Sequence, residues 1–190
     1  MSKRRSLLTS AIAIVLLAGC ASSLEASPVP DNGDTSFPST PTISASHRPE
    51  IGQTYYVRTD GGSAGQCTGL VDAPYPGSGR SQACAWNHPF QALPPEGPAR
   101  IGGGATLIIG AGGYMMGYGA PGAEICESDY PWDCYMAPVP SGPDSEHPTR
   151  ILGTGWDNGC ASPPELWGTQ RSDQVINLTG SSNVQVACFE

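Results

Sequence analysis

Near its C-terminal end the chain carries two short apolar runs separated by a polar turn, and their spacing limits what it can become. Val175-Ile176-Asn177-Leu178 leads into Thr179-Gly180-Ser181-Ser182-Asn183 and then into Val184-Gln185-Val186. Ile176 and Leu178 stand two apart, as do Val184 and Val186. The spacing predicts strands over 174–178 and 184–187, each turning one apolar row inward. The Gly/Ser/Asn turn is too polar for a core and suits a sharp change of direction. Ala187-Cys188-Phe189-Glu190 then opens a further apolar stretch with no polar cap behind it. This pattern predicts coils of a parallel β-solenoid, in which each coil buries its face only against the next. On that reading the chain is expected to be truncated at its C-terminus. Its open coil end would leave apolar surface and strand edges in water, so these residues alone are expected to aggregate or unfold easily.

Composition points the same way. Glycine (25) and proline (19) are abundant while only 14% of residues are charged, a balance that favours turns and short strands over helices. Further strands are expected at 105–110, where Leu107 and Ile109 alternate with Thr106 and Ile108, and at 149–152. No long 3.6-residue periodicity follows Leu17. An all-β domain results, with excursions at 118–147 and 154–172 that are long for bare connections.

The first twenty residues read as an address. Lys3-Arg4-Arg5 precedes the mostly apolar stretch Leu7 to Leu17, the length of a secretory h-region and too short to span a bilayer. The stretch ends in Leu17-Ala18-Gly19-Cys20, which resembles the bacterial lipobox. That resemblance implies removal of residues 1–19 and acylation of the Cys20 thiol, with a stable membrane anchor as the result. Ala21-Ser22 follows without an Asp, which in that family leaves out inner-membrane retention. The expected location is therefore the bacterial cell envelope, exported and lipid-anchored, at the outer membrane or cell surface. Residues 20–50, rich in Ser, Thr and Pro, form an expected disordered tether, and 51–190 the folded part. Once the leader is removed, six arginines oppose 17 acidic residues, too few and too scattered for a nucleic-acid partner.

Six further cysteines remain: Cys67, Cys84, Cys126, Cys134, Cys160 and Cys188. An even number in an exported chain predicts disulfides, with neighbours along the chain as the simplest pairing. No CxxC pair occurs, and His47, His88 and His147 lie at no ligand spacing, so no metal site is predicted from them.

Folded sequence begins near Thr54-Tyr55-Tyr56-Val57-Arg58 with Asp60-Gly61-Gly62. Later come Asn87-His88-Pro89-Phe90-Gln91-Ala92-Leu93, Gly103-Gly104-Ala105-Thr106-Leu107-Ile108-Ile109 and Gly113-Tyr114. This succession resembles the N-terminal cap and first coils of right-handed parallel β-helix proteins of the pectate-lyase-like superfamily. The resemblance covers roughly residues 54–190, with Pro148 to Gly153 and Ile176 to Val186 as the first coils. It implies a polysaccharide-binding or polysaccharide-degrading protein of lyase or hydrolase type, whose catalytic residues would lie beyond Glu190. The alternative is a non-catalytic surface protein, structural or adhesive. Two departures stand out. Ala105 takes the place of an Asp in the "GDT" step, and Pro94-Pro95 stops the expected capping helix after about one turn.

Three motif matches carry no weight. Gly61 to Gly65 fits G-x-S-x-G without a helix to follow. Gly117 to Gly122 fits G-x-G-x-x-G but meets Pro121 and an acidic loop. Asn177-Leu178-Thr179 fits a glycosylation sequon inside an expected strand. One constellation is retained: Glu124, Glu127, Asp129 and Asp133, with Tyr130 and Trp132 interleaved and Cys126 and Cys134 at the edges. Rings that stack on sugar faces beside oxygens that take hydroxyl protons, or a Ca²⁺ ion, suit carbohydrate binding. The other reading is an exposed acidic loop whose aromatics cover the open coil end. Trp156 and Trp167 are expected to pack over that end too.

Overall fold

A computed structural model describes residues 51–169 and 172–190. The leader, Cys20 and the tether lie outside the described residues. Among the described residues six strands form: β1 (Thr54–Gly62), β2 (Thr106–Ile109), β3 (Gly113–Met116), β4 (Thr149–Gly153), β5 (Glu165–Gly168) and β6 (Val184–Ala187). Helix among the described residues is confined to two single turns of 3-10 type, Pro89–Gln91 and Pro131–Asp133. The domain is all-β.

Every strand pair is parallel. One sheet runs β1-β2-β4-β6 and a second pairs β3 with β5. Strand order in the first sheet is chain order, so each return of the chain lays its strand beside the one before. Period-two alternation then stacks like on like. Tyr55, Leu107, Ile151 and Val186 share one row, and Val57, Ile109 and Gly153 the next. Leu107 and Ile109 are fully buried in these rows. Gly153 has no Cβ because one there would overlap the Cys188 carbonyl, and the C-terminal segment passes directly over it.

The chain turns from β2 to β3 at Gly110-Ala111-Gly112, and Tyr114 turns back to donate its hydroxyl to the Gly110 carbonyl at 3.0 Å. Tyr114 and Met116 from β3 complete the core with Phe90, Leu93 and Met136. Burial pushes the Tyr114 phenol up to about 12. The Ala105 departure costs this turn little. The Gly104 N–H donates to the Thr149 hydroxyl of the following strand at 2.9 Å, and Ala105 itself is buried. The 3-10 turn at Pro89–Gln91 ends short of Pro94-Pro95, as the prolines require.

One expectation fails. The segment 174–178 is not a strand, and its phase is reversed: Asn177 is buried while Leu178 is 46% exposed. The reason lies in its neighbour, Met136-Ala137-Pro138-Val139-Pro140, whose two prolines cannot donate to a ladder. Only Val139 N–H reaches the Asn177 carbonyl, at 2.9 Å, and the Asn177 side-chain amide donates to the Met136 carbonyl at 3.1 Å. A side chain thus replaces a missing rung, and the sequon asparagine is a buried structural residue. The excursion 154–172, long for a bare connection, contains β5. Trp156 and Trp167 both present part of their surface to solvent. They are 39% and 45% exposed.

Three disulfides join Cys67 to Cys84, Cys126 to Cys134 and Cys160 to Cys188. Each closes a local loop. Among the described residues no helix is long and apolar enough to cross a membrane.

Candidate functional site

From Ala120 the chain makes successive tight turns, in which Ala123 N–H donates to the Ala120 carbonyl and Cys126 N–H to the Ala123 carbonyl. Ala123 and Cys134 are buried, so the loop is fastened to the core at both ends. Between them the Cys126–Cys134 disulfide draws the loop into a small ring, and Pro131–Asp133 forms a 3-10 turn within it. Most side chains between them face outward, while Cys126 packs partly against the core. Tyr130 is 55% exposed, Trp132 36%, and the two rings meet edge to face with centroids 5.7 Å apart. The two rings thus pack on each other.

This ring forms one wall of a cleft of about 210 Å³ whose walls include Glu127, Tyr130 and Asp133. The facing wall comes from Pro95 and Glu96. Ala137 N–H donates to the Pro94 carbonyl at 3.1 Å, which ties the two walls together. The structure thus joins Glu127, Asp133 and Tyr130, with Trp132 reached through Tyr130. It leaves two predicted carboxylates outside. Glu124 accepts from the Gly122 N–H at 3.1 Å beside a separate shallow cleft, and Asp129 accepts from the Ser128 hydroxyl at 3.4 Å. Glu96 was not anticipated. No spacing signal links it to residues so far along the chain, and only the stacking of one chain return on the next brings it there.

Glu96, Glu127 and Asp133 make no ion pair among the described residues. Their charge is therefore held in water, available to hydroxyl groups or cations. For the Ca²⁺ option the donor set is insufficient. Among the described residues no group of three or more Asp, Glu, His or Cys is placed to hold a metal ion.

Two other charged groups are committed to structure. Arg58 is held by Asp60 at 2.7 Å and Asp72 at 3.0 Å, and hydrogen bonds from Arg58 keep the Asp60 carboxyl below the ordinary carboxylate range. His88 is buried next to the capping turn. Its Nδ1 accepts from Phe90 N–H at 3.1 Å, which leaves the proton on Nε2 to be donated to the Met115 carbonyl at 3.1 Å. Burial pushes its pKa down to about 4, against the opposing pull of the Met115 carbonyl and the Glu124 charge. It is a neutral structural clamp between the cap and β3. Arg150, the strand-start arginine, lines a cleft of about 250 Å³ with Glu146 and His147, and His147 itself is paired with Asp144. Compared with protein-family models, curated proteins and solved structures, the chain matches none.

Proposed function

We propose that residues 51–190 are the cap and first coils of a right-handed parallel β-helix that holds a polysaccharide-binding site on the bacterial cell envelope. The fold part of this reading is supported by the parallel stacking of β1, β2, β4 and β6 in chain order, with β3 and β5 stacked beside them. Parallel crossovers are right-handed almost without exception, which supplies the hand. Three disulfides fit an oxidising compartment outside the cytoplasm. Acylation at Cys20 would anchor the chain, with residues 20–50 as spacer.

The observation that carries the binding reading is the exposed Tyr130–Trp132 pair beside Glu127, Asp133 and Glu96 on a loop held rigid by a disulfide. Aromatic faces take the apolar face of a sugar ring, and carboxylates accept its hydroxyl hydrogens. A cleft this small fits the edge of one sugar unit of a longer chain. The acidic rim selects neutral or cationic saccharides and disfavours polyanions.

Titration calorimetry of the purified chain against neutral, cationic and acidic oligosaccharides, with and without Ca²⁺, tests this. Neutral or cationic sugars should bind, and Trp132→Ala or Tyr130→Ala should weaken them about tenfold or more. Absence of binding to every saccharide, or binding indifferent to both substitutions, would leave the non-catalytic structural or adhesive alternative. Product release in the same samples scores the lyase or hydrolase activity that the family resemblance implies. For the anchor, fatty-acid labelling in a bacterial host should mark the wild type and spare Cys20→Ser. Equal labelling would remove the anchor.

A further inference from the structure

The segment between β1 and β2 helps enclose a cleft larger than that of the acidic loop. It has a volume of about 430 Å³, within the range of small-molecule sites. Its walls are mainly apolar, from Tyr55, Ala64, Leu70, Trp86 and Ala99, and Arg100 stands at its rim. Thr68 and Ser81 add hydroxyl groups. No Asp or Glu is among these walls, in contrast to the acidic-loop cleft.

The cleft is pre-formed. Trp86 stacks on Tyr55 with the rings 5.3 Å apart and 7° from parallel, and its indole N–H donates to the Cys67 carbonyl at 3.0 Å. Gly69, at φ +74°, lies against the indole, where a Cβ would stand 2.6 Å from ring atoms. The Cys67–Cys84 disulfide and the bonds Thr68 N–H to the Gln82 carbonyl and Gly69 N–H to the Cys84 carbonyl tie the walls together. A ligand would enter without first ordering its site, which favours affinity.

Charge selects the ligand. Arg58 is neutralised by Asp60 and Asp72. Among the described residues the Arg100 side chain makes no ion pair, and its guanidinium has one protein hydrogen bond, from Nη1 to the Gln91 carbonyl at 2.7 Å. That bond orients the guanidinium and leaves its other donors for a partner. We propose that this cleft binds a small organic anion, an apolar or aromatic body carrying one carboxylate, with the body among the apolar walls and the carboxylate on Arg100.

The test uses the full chain with its disulfides formed, titrated with 2-naphthoate and with the neutral 2-naphthalenemethanol. Naphthoate should saturate at one equivalent. Arg100→Gln should weaken it roughly tenfold and leave the alcohol unchanged, because only the charge-assisted hydrogen bond is lost. Ala99→Trp, which fills the cleft, should abolish both. Naphthoate binding that does not saturate, that survives Ala99→Trp in a folded variant, or that ignores Arg100→Gln would overturn the proposal. Should Ala99→Trp fail to fold, the exposed Arg100→Gln and the paired titrations still decide it.

Discussion

The two ends of the β1-β2-β4-β6 sheet carry the same kind of strand and meet different fates. At one end, Tyr55 and Val57 of β1 are 3% and 1% exposed, covered by the excursion that holds Trp86, Phe90 and Leu93. At the other, Val186 of β6 occupies the same inward row and is 39% exposed. Alternation alone does not bury a side chain. A strand in a stack buries its apolar row only when something lies on both sides of it, and β1 has a cap where β6 has none among the described residues.

The largest expected effect tests the middle of the row. Leu107 lies between Tyr55 and Ile151 with no exposure, and Leu107→Ala should cost about 2 to 5 kcal/mol in urea unfolding. A cost below 1 kcal/mol would mean that the stack is loosely packed. Next comes the cap. Replacing Cys67 and Cys84 together by Ala opens a loop of 17 residues and should cost about 3 kcal/mol, with the loss disappearing in reducing buffer. If reduced and oxidised wild type melt alike, the cap does not depend on this link.

His88 joins the cap to β3, and it makes the covered end sensitive to acid. Its folded pKa lies below the ordinary histidine value, so the unfolded chain takes up the proton first. Stability from neutral His88 is complete above about 6.5 and falls as pH drops toward about 4, by up to about 3 kcal/mol. Unfolding measured at pH 7 and pH 4 should show this loss, reduced in His88→Asn, where the side-chain oxygen can still accept from Phe90 N–H. An unchanged pH dependence in that variant would place the acid sensitivity elsewhere. The smallest effect belongs to the uncovered end. Val186→Ala should cost no more than about 1 kcal/mol, since its side chain already meets water. A loss as large as that of Leu107→Ala would show Val186 to be packed, and would erase the contrast between the ends.

Legibility in the sequence followed how local each interaction is. The strands expected at 105–110 and 184–187 from period-two runs, and at 149–152, form as Thr106–Ile109, Val184–Ala187 and Thr149–Gly153, and the proline pair correctly limited the capping helix. The 174–178 strand did not form because its partner segment holds Pro138 and Pro140, a conflict between segments that no single run displays. β5 went unseen because Glu165-Leu166-Trp167-Gly168 has little alternation, and its partners are distant in the chain: β3, and Glu190, whose carbonyl accepts from the Leu166 N–H. In the acidic loop, residue type marked Glu127, Tyr130 and Asp133. It equally marked Glu124 and Asp129, which the turns direct away from the cleft, and it could not suggest Glu96.

By itself, then, the chain determined its secondary-structure class: glycine, proline and alternating aliphatic residues exclude long helices and encode short strands through local backbone preferences. Tertiary structure decided which rows are covered, which strands align and which carboxylates share a cleft. Those outcomes depend on contacts between residues tens of positions apart, such as Gln91 with Arg100, Pro94 with Ala137 and Asn177 with Met136. Such contacts exist only after the chain has stacked on itself.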